Sequence, residues 1–180
     1  MPTVFSHAAA AVSLATVCSS APTRLRVAAV AALCAVIPDA DVVAFRFGIP
    51  YDHVLGHRGL SHSLAFAAAL GAVAARLTPW AAPLWRRWLF FSAATASHGL
   101  LDAMTDGGLG IAFFAPFSDT RYFLPWRPIE VSPISLRAFL SRRGVAVLAS
   151  ELLWVWAPAV ALAAGGLALW RVLGSRRARR

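Results

Sequence analysis

The residues of this chain with the clearest chemical potential lie in segment 56–64, which reads GHRGLSHSL. The segment places the imidazoles of His57 and His62 and the guanidinium of Arg58 between apolar runs rich in Ala, Leu and Val. Imidazoles are the most common metal ligands near neutral pH. Polar ligands beside sequence of membrane-grade hydrophobicity are typical of a functional site. The segment therefore predicts a metal site.

Further potential ligands recur along the first 106 residues, namely His7, Asp39, Asp41, His98, Asp102 and Asp106. The last three are spaced four residues apart, so a single helix face would present all of them. A mixed His and Asp set suits zinc, with manganese as the alternative, and either one or two ions fit such a set. Two ions about 3.5–4 Å apart would activate a water and clamp both oxygens of a displacement at phosphorus. Asp52 and His53 are interpreted as loop residues.

The composition predicts a membrane protein. The chain is 59% hydrophobic and 14% charged, with a mean hydropathy of +0.65, whereas soluble domains are roughly 45–50% apolar. A soluble helical bundle is the alternative. The net charge of +9 comes from arginine alone, and five arginines follow the last apolar run: Arg171, Arg176, Arg177, Arg179 and Arg180. This cluster is typical of a cytoplasmic membrane flank, so direct binding of nucleic acid is not expected.

Five apolar runs predict five helices, at residues 4–20, about 25–37, 60–77, about 88–105 and 144–170. A polar connection over 38–59 and a loop over 107–141 separate some of them. The last run is long enough to cross a bilayer and is interrupted only at Glu151. A cleaved signal peptide is the competing interpretation of the first run, although the first 23 residues contain no arginine or lysine.

Short connections favour antiparallel packing of the first four helices. The candidate ligands then share one end of the bundle, and the other end carries Arg24, Arg26, Arg76, Arg86 and Arg87 with no carboxylate. We predict an all-α integral membrane bundle of about four up-and-down helices with a His/Asp cluster at one end, plus a C-terminal transmembrane helix. This single membrane-embedded domain, 1–180, comprises a metal-site bundle and loop (1–128), the transmembrane helix (144–170) and a basic tail (171–180).

The motifs of this chain resemble the YdjM-like family of inner-membrane-associated proteins, which are described as metal-dependent hydrolases. The resemblance is carried by His7, IPDAD at 37–41, GHRGLSHSL at 56–64 and SHGLLDAMT at 97–105, in matching order over residues 1–128. The family is distantly similar to zinc-dependent phospholipase C, which is all-helical with zinc bound by His and Asp. The resemblance implies a ligand set of His7, Asp39, Asp41, His57, His62, His98 and Asp102.

These observations predict a membrane-bound hydrolase in which metal-activated water attacks a phosphoester or lipid-derived substrate. Asp41 or Asp106 would act as the base, and Arg58 would stabilise developing charge through its planar fork of donors. A non-catalytic metal-binding scaffold or regulatory protein is the main alternative. A transporter fits less well, because its ligands would lie near the bilayer midplane. Serine hydrolysis through Ser61 or Ser63 is disfavoured, because a metal explains the carboxylates better.

The resemblance implies the bacterial inner membrane, the apolar runs predict a multi-pass protein, and the arginine-rich tail predicts a cytoplasmic C-terminus. Five spans would then place the His/Asp cluster on the outer face. Arginines of the 107–141 loop and of the start of the last helix oppose this orientation: Arg121, Arg127, Arg137, Arg142 and Arg143. The expected partners are the lipid bilayer and a phospholipid or other phosphoester substrate.

Overall fold

The computed structural model describes residues 1–133 and 135–178, most of which are helical. The α-helices are α1 (Val4–Cys18), α2 (Ala21–Val36), α3 (Leu64–Leu77), α4 (Leu84–Ala103), α5 (Leu136–Phe139), α6 (Arg142–Glu151) and α7 (Ala157–Ala178). Two 3-10 helices span Ile37–Phe47 and Leu60–His62, and a π-helical turn, Leu152–Trp156, joins α6 to α7. The described residues form no β-strand, only isolated bridges in the loop after α4. The all-α prediction is confirmed.

The largest difference from the predicted boundaries lies after α2. The sequence predicts a polar connection from Pro38 onward, but a 3-10 helix continues from Ile37 to Phe47 and ends at Gly48, whose φ of 73° is left-handed. Proline lacks the N–H that an α-helix needs at this point, so the α-helical hydrogen bonding stops there without ending the helical path. The continuation determines the direction of both aspartates in this segment. At the other helices the differences are smaller, and α4 begins at Leu84 instead of residue 88.

The helices pack through small side chains. Helix α3 runs along α4, while α1 packs against both α2 and α7, and α2 also contacts α4. The buried core consists mainly of alanines around Phe91, including Ala11, Ala15, Ala31 and Ala94. Small residues let helix backbones approach closely, as is common between membrane helices. The up-and-down order of the helices and the division of the chain into segments stay predictions.

Two helical stretches among the described residues are long and apolar enough to cross a membrane, Ala21–Phe47 and Arg142–Leu173. The most apolar window of the second is only 11% buried inside the protein, so most of its surface is available to lipid. Helices α1 and α3 are apolar but have 15 and 14 residues, about 22 Å at most, against a hydrocarbon core of ~30 Å. The remaining predicted spans stay predictions, and residues 179–180 of the basic tail lie outside the described residues.

Candidate metal centre

The GHRGLSHSL segment folds into a tight loop that turns its charged side chains inward. A Cβ on Gly56 would lie 2.2 Å from the Pro50 carbonyl oxygen, and one on Gly59 would lie 2.2 Å from the Val54 carbonyl oxygen. Only glycine allows these approaches. Between them Arg58 adopts a φ of 64°, which is uncommon for a residue with a Cβ. As a result His57, Arg58 and His62 are all nearly or fully buried.

A first group of four buried residues brings potential ligand atoms together: Asp39, His62, His98 and Asp102. The Nε2 atom of His98 lies 2.9 Å from His62 Nε2 and 3.3 Å from Asp39 Oδ1. The Nε2 atom of His62 lies 3.5 Å from Asp102 Oδ2. A tetrahedral ion with bonds of about 2.0–2.1 Å separates its ligand atoms by about 3.3 Å. The shortest of the observed separations are close to this value, and all four ligand atoms lie within 4.8 Å of one another, so the group could hold one ion.

Hydrogen bonds at the far side of each ring orient the two histidines of this group. His98 Nδ1 lies 2.7 Å from the Ala35 carbonyl oxygen, which can only accept, so Nδ1 carries the proton. His62 Nδ1 faces Asp41 Oδ2 at 3.2 Å. If both rings are neutral, the two Nε2 lone pairs point at each other, and a metal ion or a proton between them would satisfy both. Contacts of this kind to a carbonyl or carboxylate are the usual support of metal-bound histidine.

The first group and the neighbouring His7 also contain buried polar atoms without a hydrogen-bond partner. Both carboxylate oxygens of Asp39, both of Asp102 and both ring nitrogens of His7 are buried and accept or donate no hydrogen bond. Such atoms are rare in folded proteins, and each costs about 1–3 kcal/mol. The His7 ring stacks on His98 with centroids 3.7 Å apart, and its Nε2 lies 3.5 Å from Asp102 Oδ1. A metal ion would satisfy this cluster of unpaired atoms.

The charges around His62 favour a cation. Burial by itself lowers the pKa of this histidine, but hydrogen bonding to the surrounding carboxylates raises the pKa to about 10; they are Asp102, Asp39 and Asp41. Three carboxylate side chains, each at most 7% exposed, surround His62, and the buried guanidinium of Arg58 pairs with one of them, that of Asp102. The N-terminal ammonium of Met1 also interacts with Asp102 and Asp39, and burial lowers its pKa to about 6. With neutral histidines the three carboxylates still outnumber these cationic groups, and a divalent cation would offset the excess negative charge. The site is therefore electrostatically suited to a divalent metal.

A second group, Asp41, His57 and His62, also has metal-compatible spacing, but its carboxylate is already satisfied. Asp41 Oδ1 lies 2.7 Å from His57 Nδ1, and Oδ2 accepts from Ser61 Oγ at 2.6 Å and from the Arg58 backbone N–H at 3.2 Å. Residues of a 3-10 helix are 120° apart, so Asp39 and Asp41 face different neighbours. One therefore meets His62 and His98, and the other meets the loop.

The guanidinium of Arg58 is committed within the protein. It is fully buried, donates from Nη1 to the Gly107 carbonyl oxygen at 2.8 Å and from Nη2 to Thr105 Oγ1 at 2.9 Å. Its Nε lies 3.3 Å from Asp102 Oδ2. This arrangement differs from the predicted role in which the fork of donors faces a substrate. The geometry fits a clamp that orients the Asp102 carboxylate.

Asp106 is not brought into either group. Its carboxylate is exposed, and Oδ1 accepts from the Val131 backbone N–H at 2.7 Å and lies 3.8 Å from Arg143 Nη2. Asp52 and His53 are exposed as well, in agreement with their interpretation as loop residues. The remaining predicted ligand positions lie in or beside the two groups.

Two residues that support the site were not predicted from the sequence, Arg121 and Glu151. Arg121 donates to the backbone carbonyls of His57 and Tyr51, which ties the GHRGLSHSL loop to the loop after α4. The residues next to Arg121 in the sequence contain no pattern that would predict such a contact. Glu151 is fully buried; the signal that could have identified it is the presence of a single acidic residue within the last apolar run, since such residues are rarely without a role.

Comparison with known proteins agrees with the motifs. No solved structure matches this chain. An inner membrane protein of Escherichia coli strain K12, YbcI, is 41% identical over 175 residues, which are 95% of this chain and 99% of the relative. The family model described as YdjM inner membrane protein matches residues 1–176. The resemblance drawn from the His and Asp motifs is confirmed, and the chain belongs to the YdjM family of inner membrane proteins.

Proposed function

We propose that this chain is a metal-dependent hydrolase whose metal ion is held by Asp39, His62, His98 and Asp102. One observation carries the proposal: the donor atoms of these four buried residues lie within 4.8 Å of one another, and the carboxylate oxygens of Asp39 and Asp102 have no hydrogen-bond partner. Catalytic zinc sites are typically built from histidine and carboxylate, whereas structural sites are typically rich in cysteine. Neither cysteine of the chain belongs to the group. Zinc is the proposed metal, with manganese as the alternative.

The residues around the ligands have distinct proposed tasks. Asp41 holds the His62 ring so that Nε2 points at the ion, and Arg58 holds Asp102. His7 is proposed as an additional ligand beside Asp102. When bound, a divalent metal would polarise a phosphoryl oxygen and lower the pKa of a water molecule. The predicted base roles of Asp41 and Asp106 stay predictions. Asp41 is already fully hydrogen bonded, and Asp106 lies outside both groups.

The proposed substrate is a phosphoester, with membrane-derived lipids favoured. The candidate span Ala21–Phe47 includes Asp39, which supports a site built partly on a membrane helix and close to lipid. The four oxygens of Asp39 and Asp102 and the ring nitrogens of His7, His62 and His98 exceed the four ligand atoms of one tetrahedral ion. The surplus supports a second ion.

A non-catalytic metal centre is the second candidate, and a specific observation favours it. The four ligands of the first group are at most 6% exposed, which leaves little access for a substrate to an ion held between them. In that case the metal would stabilise the fold or a regulatory contact.

Activity assays on the detergent-purified protein separate the two candidates. A panel of phosphomonoester, phosphodiester and phospholipid substrates would be tested before chelation, after chelation and after reloading with zinc. The hydrolase proposal expects turnover that chelation removes, zinc restores, and His98→Ala lacks, with Glu130→Gln, a change at a carboxylate that pairs with Arg143, as the control. Turnover that survives exhaustive chelation would refute it. Stoichiometric metal without turnover on any substrate would favour the non-catalytic centre.

We further propose that the chain crosses the inner membrane several times, with its C-terminus in the cytoplasm and the His/Asp groups toward the outer face. The basic residues after the candidate span Arg142–Leu173 support this orientation, because such residues are enriched on the cytoplasmic side. A reporter fused after residue 110 tests it. Activity of a periplasm-specific reporter is expected there, and a cytoplasmic signal would contradict the proposed orientation.

A further inference from the structure

The C-terminal helical stretch carries one fully buried carboxylate, that of Glu151. This carboxylate faces the protein interior. Its Oε1 accepts a hydrogen bond from the Thr3 backbone N–H. Its Oε2 accepts from Thr3 Oγ1 and from Ser6 Oγ, both at 2.6 Å. A carboxylate within a candidate membrane span is costly unless such partners satisfy it. Every donor comes from the first residues of α1 or its N-terminal cap, 145 or more positions away in the chain.

The π-helical turn that follows Glu151 aligns a second contact to the same place. In a regular α-helix, residues five apart differ by about 140° around the axis, so Glu151 and Trp156 would face different neighbours. The π-helical turn Leu152–Trp156 closes with bonds between residues five apart. Trp156 Nε1 therefore donates to Ser6 Oγ at 2.9 Å, the same hydroxyl that donates to Glu151.

This contact acts on the start of α1, immediately before His7. Thr3 is the N-terminal cap of α1, but its own side chain does not cap the helix. A negative charge at a helix N-terminus is favourable, so Glu151 supplies across helices what the local sequence lacks. His7 lies one turn beyond Thr3 and is the residue through which α1 reaches His98 and Asp102.

We infer that Glu151 is a positioning residue which, through the first turn of α1, holds His7 against the metal site. The C-terminal helical stretch is thus a structural part of the site as well as a membrane anchor. The inference rests on the proposed metal site for its functional meaning. The contact between Glu151 and α1, however, can be tested separately from metal binding.

A double-mutant cycle on zinc affinity tests the functional part. Glu151→Ala should weaken zinc binding about tenfold, in the range expected for outer-shell groups. In a His7→Ala background the same change should cost less than about twofold, because its route to the metal is gone. Glu130→Gln removes a carboxylate that pairs with Arg143 and serves as the control without effect. An equal loss in both backgrounds would overturn the inference, since it would indicate a general structural effect.

Hydrogen exchange in the metal-free protein tests the contact itself. The variant is Glu151→Gln, which keeps the side-chain shape and can be measured even if Glu151→Ala does not fold. Backbone amides of residues 3–7 should exchange faster in Glu151→Gln than in wild type and Glu130→Gln, while amides of α3 and α4 stay unchanged. Unaltered exchange at residues 3–7 would refute the contact. Absence of zinc binding in the wild type would refute the proposed function, and exchange alone would then decide whether Glu151 holds α1.

Discussion

Two groups of histidine and aspartate lie side by side in this protein, share His62, and differ in whether their polar atoms have partners. In the first group, the carboxylates of Asp39 and Asp102 are buried with no hydrogen bond. In the second, Asp41 contacts donors from the loop, among them Ser61 and the Arg58 backbone. Residue types alone do not distinguish the groups. On the proposed function, the unsatisfied carboxylates would hold the cation, and the satisfied one would orient a ligand.

His62 connects the two groups because its ring nitrogens face opposite ways. Nδ1 faces Asp41 at 3.2 Å, and Nε2 faces Asp102 at 3.5 Å. This is the arrangement in which a carboxylate fixes the tautomer and ring orientation of a metal-bound histidine. The comparison therefore assigns unequal effects to substitutions in the two groups, although both lie within a few ångströms of the same ring.

The largest effect is expected in the first group. Asp102→Asn and His98→Ala each remove a donor atom from the proposed ion, and Asn cannot replace the charge of the carboxylate. Zinc affinity should fall by more than the roughly 100-fold upper range for outer-shell substitutions. Competition titration with a chromophoric chelator measures this loss. Near-wild-type affinity in either variant, with the helical content retained, would break the distinction between the groups.

A smaller effect is expected in the second group. Asp41→Asn keeps the size of the side chain but loses the charge that orients His62, so zinc affinity should fall about 10–100-fold with stoichiometry unchanged. The same titration gives the affinity, and the spectrum of the cobalt-substituted protein reports the ligand set. A complete loss of binding would instead make Asp41 a ligand and the second group a metal site in its own right.

The smallest effect is expected at Asp106, which lies outside both groups and pairs with exposed Arg143. Asp106→Asn should leave zinc affinity within about twofold and change the free energy of unfolding by about 0.5 kcal/mol or less, as is usual for exposed positions. Thermal unfolding and titration check both quantities. A large loss of metal affinity would extend the site to the end of α4.

Much of the candidate site follows from local spacing. His98 and Asp102 lie four residues apart on one helix, which predicts their shared face directly. The glycines of the GHRGLSHSL segment mark a tight loop, and the loop does turn His57 and His62 inward. Helix type and the membrane character of the last stretch are likewise set by composition and apolar length.

The different contacts that Asp39, Asp41 and Arg58 make could not be predicted from local spacing. Asp39 and Asp41 separate because the chain continues as a 3-10 helix beyond Pro38, where the sequence indicates a polar connection. The commitment of Arg58 to Thr105 and Gly107 depends on a loop some 50 residues away. Long-range partners of this kind leave no periodic trace in a single sequence.

The most direct test of the metal site is elemental analysis of three purified proteins: the wild type, Asp39→Asn and Asp41→Asn. The two substituted residues are two positions apart in the chain. Both substitutions remove one carboxylate from the same 3-10 helix and keep its shape. The account predicts about one equivalent of bound zinc or manganese in the wild type and in Asp41→Asn, and none in Asp39→Asn. Metal retained in Asp39→Asn but lost from Asp41→Asn, or absent from the reloaded wild type, would contradict it.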